Sequence, residues 1–235
     1  MLEAQLLLTT AALIALLHTV LGPDHYLPFV ALGKARKWSR AKTLRITFYC
    51  GLGHVMSSVL IGGIGILMGT KLTSLVAIEG MRGSMAGWVL LMFGCMYFTW
   101  GLRKAGKAHS HSHIHAHGEI VHIHHHNHAA EHVHVHAESA RSPVTPLALF
   151  IIFILGPCEA LIPLFMYPAA VQSSGLVVLV ALVFGGVTLV TMLLVVATIL
   201  HGTEKLSLPG FGRFSHAAAG ASIAACGAAI SFIGL

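Results

Sequence analysis

Six stretches of the chain are almost unbroken in apolar residues: about Leu6–Leu32, Thr43–Gly69, Ser84–Leu102, Thr145–Ala170, Leu176–Leu200 and Phe211–Leu235. A helix needs roughly 20 apolar residues to cross about 30 Å of hydrocarbon, so each stretch is long enough for a tilted span. The pattern predicts an all-α membrane protein with six transmembrane helices. Its longest lapse is over residues 109–143, which are polar and rich in histidine. That lapse divides the chain into a membrane unit at 1–108, a loop at 109–143 and a second membrane unit at 144–235.

Two of the six stretches are interrupted in the same way. Leu21-Gly-Pro-Asp-His25 breaks the first, and Leu155-Gly-Pro-Cys-Glu159 breaks the fourth, with Pro28 and Pro163 following. Proline has no amide proton and clashes with the carbonyl one turn back, so each motif predicts a broken helix. Freed backbone at membrane depth is tolerated only where it is buried in protein or lines a polar path. Three spans separate the copies, so they run through the membrane in opposite directions. This predicts two inverted three-helix repeats with the His-rich loop between them, and such paired breaks point to a mid-membrane site. Chance recurrence of Leu, Gly and Pro is the alternative.

The first break also holds the chain's only aspartate, Asp24, and a histidine, His25, with His18 nearby. Ionisable groups are expensive to desolvate in a bilayer and are retained mainly for a cavity, a partner or an ion. On an unbroken helix His18 and His25 would share a face about 10 Å apart along the axis, too far to hold one ion. The Gly22-Pro23 break could close the gap; a plain Asp24–His25 bond inside a bundle is the other reading. In the second stretch Cys50, His54, Ser57, Ser58, Gly62, Gly65 and Gly69 form a small and polar stripe that turns His54 inward. Gly185, Gly186, Thr188 and Thr191 hold the matching place in the fifth. Gly212, His216 and Gly220 mark a packing face in the sixth. His201 and His216 read as interfacial.

Composition agrees with a polytopic membrane protein: 56% of residues are hydrophobic and 9% charged, and the mean hydropathy is +0.81. A soluble domain of this length is excluded. The net charge of +6 is a topology signal here and not a nucleic-acid footprint. Lys34, Arg36, Lys37, Arg40, Lys42 and Arg45 crowd the first loop; Arg103, Lys104, Lys107 and Arg141 the third; Lys205 and Arg213 the fifth. Lys71 and Arg82 flank the second, and the fourth has none. The positive-inside bias puts loops one, three and five in the cytoplasm and both termini outside. Met-Leu-Glu lacks a basic n-region, so the first stretch reads as a retained span and not a cleaved signal. Cys50, Cys95, Cys158 and Cys226 lie in apolar stretches without CxxC spacing, which argues against a disulfide framework or a structural zinc site.

The loop holds His109, His111, His113, His115, His117, His122, His124, His125, His126, His128, His132, His134 and His136. Such a tract is expected to be disordered without metal and to chelate borderline divalent cations through neutral imidazole. Its alternation also suits a strand, though a free-standing hairpin is marginal. A pH-sensitive linker is the other reading, because imidazole titrates near neutrality.

The Asp24-His25 pair after His18, the Leu-Gly-His of Leu52–His54 and the Gly-Pro-Cys of Gly156–Cys158 resemble the nickel/cobalt transporter family, including efflux-type and urease- or hydrogenase-associated permease-like members with a His-rich loop between spans three and four. That family is similar in turn to the lysine-exporter superfamily of three-plus-three membrane proteins. The resemblance covers both halves and the loop. It implies that His18, Asp24, His25 and His54 select the metal. The family signature has four residues between its first histidine and the Asp-His pair, whereas five stand here, Thr19 to Pro23. Cys158 and Glu159, at the places of Asp24 and His25 in the second copy, join the candidate metal residues.

The expectation is therefore a multi-pass transporter, not an enzyme, in a bacterial or archaeal plasma membrane. Nickel or cobalt would be its substrate, with no prosthetic group. Its partners would be divalent metal ions and the lipid bilayer, with no nucleic acid and a homo-oligomer left open. The loop leans the direction toward efflux. The rival is thiol–disulfide electron transfer of the cytochrome-biogenesis type, whose reactive motif the Gly-Pro-Cys element resembles. That chemistry needs one cysteine per repeat, and Asp24 stands opposite Cys158.

Overall fold

The computed structural model describes residues 2–106, 112–117, 120–125, 144–156, 158, 160–170, 173–204 and 211–234. The body is all helical: α1 (Leu2–Leu21), α2 (Leu27–Ala35), α3 (Arg40–Leu67), α4 (Leu72–Gly106), α5 (Val144–Leu155), α6 (Leu161–Ala170), α7 (Ser174–Glu204) and α8 (Ser215–Ala228). Among the described residues, five helices are long and apolar enough to cross a membrane: α1, α3, α4, α7 and the stretch Gly212–Ile233 built around α8. The chain is a multi-pass membrane protein. Large apolar side chains such as Leu13, Leu60, Met92, Leu182 and Leu194 stand exposed on the outside of the bundle, where lipid would cover them.

Both predicted breaks occur. Between α1 and α2 a single 3₁₀ turn, Pro23–His25, replaces the helix. Gly22 is extended there (φ −87°, ψ 95°), and proline occupies the first position of the turn, where no amide is needed. The fourth stretch is divided into α5, of 12 residues, and α6, of 10. Neither piece spans a bilayer alone.

The breaks lie at a seam between two apolar cores. One core takes Phe29 and Leu32 from α2, Leu149 and Phe153 from α5, Met192 and Val196 from α7, and Leu90 and Ile223 from α4 and α8. The other takes Ala11 and Ala15 from α1, Leu161 and Phe165 from α6, and Val180 and Phe184 from α7. Each broken segment thus leaves one core and enters the other, and its polar backbone falls between them. The buried polar side chains His25, His54, Ser58, Glu79 and Thr188 belong to neither core.

The longest shared face is that of α4 with α8. It is built on glycine: a Cβ on Gly94 would overlap the Ala224 backbone, one on Gly101 that of Ala217, one on Gly220 that of Phe98, and one on Gly227 that of Leu91. Small residues let helix backbones approach where lipid supplies no hydrophobic drive. Gly220 therefore packs as expected, whereas a Cβ on Gly212 meets open space.

Two sequence expectations need correction. The third span does not begin at Ser84; α4 runs 35 residues from Leu72, so Arg82 lies inside a helix and does not flank a loop. The His-rich tract is not wholly without structure: Ser112–His117 and Ile120–His125 pair as an antiparallel hairpin, with His113 opposite His124 and His115 opposite His122. Of the other tract histidines, His109, His111, His126, His128, His132, His134 and His136 lie outside the described residues.

Candidate metal centre

The break performs the movement that an unbroken helix forbids. The ring of His18, in the last turn of α1, stands 4.8 Å, centroid to centroid, from that of His25 in the 3₁₀ turn. The ring of His54, from the middle of α3, stands 5.2 Å, centroid to centroid, from that of His25. One nitrogen from each of the three rings falls within 4.8 Å of the others.

Hydrogen bonding fixes which nitrogen the rings of His25 and His54 offer. His25 Nδ1 faces two acceptors, the Gly22 carbonyl at 3.2 Å and Asp24 Oδ1 at 3.1 Å, so the proton sits on Nδ1. His54 Nδ1 donates to the Phe153 carbonyl of α5 at 3.3 Å. In both rings the Nε2 lone pair is left free. The Nε2 atoms of His18, His25 and His54 are all buried without a hydrogen-bond partner. Orphaned buried polar atoms are costly and rare, so three of them in one cluster of rings call for a ligand. A carboxylate or carbonyl behind the distal nitrogen is also the usual outer support of a metal-binding histidine. Asp24 supplies this to His25 and brings one negative charge beside the cluster.

The site opens on a cavity of about 630 Å³ lined by His18, Asp24, His25 and His54, by Gly80, Gly83 and Ser84 of α4, and by Gly156. Gly22 is squeezed against the cluster: a Cβ there would sit 2.6 Å from His25 Nδ1 and 2.9 Å from Asp24 Oδ1. Gly156 plays the same part beside His54, where a Cβ would stand 3.2 Å from Nδ1.

The other candidates do not join this cluster. Cys158 is fully buried, but among the described residues the only metal-capable group of three or more is His18, His25 and His54. Its backbone amide donates to Ser58 Oγ at 3.1 Å and to Glu79 Oε2 at 3.3 Å. Glu159 lies outside the described residues. All four cysteines are free. His201 is exposed at the end of α7, and His216 bonds the Tyr97 hydroxyl and Lys104.

Sequence reasoning passed over Glu79 and Arg82 of α4. Glu79 is completely buried and ion-paired with Arg82 one turn on. Arg82 Nη2 donates to Ser57 Oγ at 2.8 Å and to the Ile154 carbonyl at 2.7 Å, with Gly156 O at 3.4 Å. Their mark in the sequence is an acid and a base three apart in an otherwise apolar run, a pattern that a loop edge also produces. Comparison of the chain with known protein families, with curated proteins and with solved structures finds no match.

Proposed function

We propose that this protein transports divalent transition metal ions across a membrane, nickel or cobalt foremost, in the direction of export. The observation that carries the reading is a cluster of three histidines lining a cavity at a helix break, each with a buried Nε2 that has no hydrogen-bond partner. Neutral imidazole suits nickel, cobalt, zinc and copper, so the choice of nickel and cobalt rests on the family resemblance. Three nitrogens replace part of the ion's hydration shell and leave coordination positions for water. That makes a site an ion can enter and also leave. Asp24 lowers the cost of a dication in the seam.

The six-span inverted-repeat plan belongs to the same proposal, with α1–α2 and α5–α6 as the two broken spans. The packing supports it. Under the exchange of halves, α3 faces α7 and α4 faces α8; α1 against α7 is mirrored by α5 against α3, α2 against α7 by α6 against α3, and α2 against α8 by α6 against α4. Transport would then follow rocking of one half against the other around the site. Asp24 at the place of Cys158 argues against a dithiol carrier, and the His-rich loop is read as an arm that gathers metal on the cytoplasmic side.

The test is expression in a metal-sensitive cell challenged in parallel with nickel, cobalt, zinc and copper. The proposal expects raised tolerance and lower cell content of nickel or cobalt. Raised content would reverse the direction, and no metal-specific change would refute the function.

A further inference from the structure

We infer that Glu79 and Arg82 are positioning residues for the metal site, acting on His54 from the opposite side of the second helix break; this rests on the metal reading above. The two breaks are treated differently by the fold. At the first, three imidazole nitrogens are left open. At the second, the freed backbone is taken up by the ion pair: Arg82 reaches the carbonyls of Ile154 and Gly156, and Glu79 Oε2 accepts from the Cys158 amide. A guanidinium over the last carbonyls of α5 and a carboxylate on the amide beyond match the sign of each backbone group. Ser58 completes the enclosure, donating to Glu79 Oε2 at 3.1 Å and accepting from Cys158 N.

Two short links run from this latch to His54. Its Nδ1–H is held by the carbonyl of Phe153, the residue before Ile154. Ser57 Oγ accepts from Arg82 and donates to the His54 carbonyl at 2.8 Å. Arg82 therefore grips both the strand of backbone that orients the ring and the turn of α3 that carries it. The guanidinium fork is what allows one side chain to do this, and lysine cannot reproduce it. With the latch loosened, Phe153 O drifts, the Nδ1 proton loses its fixed partner, and the His54 ring is no longer held steadily beside His25.

The experiment uses full-length protein in native membrane vesicles, comparing the wild type with Arg82→Lys and Glu79→Gln. Two quantities are read: N-ethylmaleimide labelling of each cysteine, resolved by peptide, and nickel transport as a function of nickel concentration. Cys158 reports the break, exposed Cys95 the reagent, and buried Cys50 and Cys226 the general packing. The expected result is faster labelling of Cys158 alone, together with a roughly 10- to 100-fold rise in the nickel concentration for half-maximal rate, as for other outer-shell losses. The maximal rate per inserted protein should change less. Cys158 protected in both variants overturns the inference. So does labelling of Cys50 and Cys226 alongside it, which would mean general loosening, or labelling of Cys158 with an unchanged half-maximal concentration. If neither ion-pair variant inserts, Ser58→Ala, which removes the one hydroxyl bonded to both Glu79 Oε2 and the Cys158 amide, decides the matter by the same criteria. A wild type that moves neither nickel nor cobalt would instead fail the functional reading itself.

Discussion

Replacing Gly22 by alanine adds one methyl group at the tightest point of the site. Its extended, negative-φ backbone is one that alanine adopts, so the change acts through contact and not through backbone strain. The added carbon would stand 2.6 Å from His25 Nδ1, 2.9 Å from Asp24 Oδ1 and 3.0 Å from the His18 carbonyl. Ordinary contact between such atoms needs about 3.5 Å or more, so the His25 ring and Asp24 must retreat by about 1 Å. Metal–ligand distances tolerate about 0.2 Å. A loss of roughly 10- to 100-fold in metal affinity follows, about 1.4–2.8 kcal/mol. The assay is nickel flux against nickel concentration in vesicles, with Gly63→Ala as control, since a Cβ there meets nothing within 4 Å. Gly22→Ala protein that inserts normally and transports with the control's half-maximal concentration would refute the geometry claimed for the break.

Asp24→Asn keeps an acceptor near His25 Nδ1 but removes the charge beside the cluster, and should weaken metal binding by about tenfold or more, read as a raised half-maximal concentration. Gly94→Val forces a side chain into the Ala224 backbone and should cost on the order of 1–3 kcal/mol, seen as a lower melting temperature in detergent while Gly186→Val, facing open space, has little effect. Excision of residues 108–140 by a short flexible linker should leave metal preference and direction intact and shift only the concentration dependence; a changed preference would make the loop part of the path.

Much of this arrangement is legible in the chain because it is local. Hydrophobic run lengths mark the long helices, and Gly-Pro at 22–23 and 156–157 marks the breaks, since proline acts on its own turn. That His18, Asp24, His25 and His54 line one cavity follows from ionisable groups being kept out of lipid. What stays hidden is long-range. Nothing near Cys158 in sequence says that its amide is claimed by Glu79, 79 residues away. Arg82 resembles any interfacial arginine until the full length of α4 is known, and then it can only be an inward-facing partner. The glycines of α4 and α8 likewise show small-residue spacing, but which helix they meet depends on the fold.

The central claim, that the buried triad carries the ion across, is tested most directly by flux in proteoliposomes holding a metal-quenched dye. Purified wild-type protein is compared with a variant in which His18, His25 and His54 are all glutamine and the His-rich loop is intact. Nickel- or cobalt-dependent quenching is expected with the wild type and none above protein-free liposomes with the variant, both being inserted to the same extent. Equal quenching by the two proteins would contradict it.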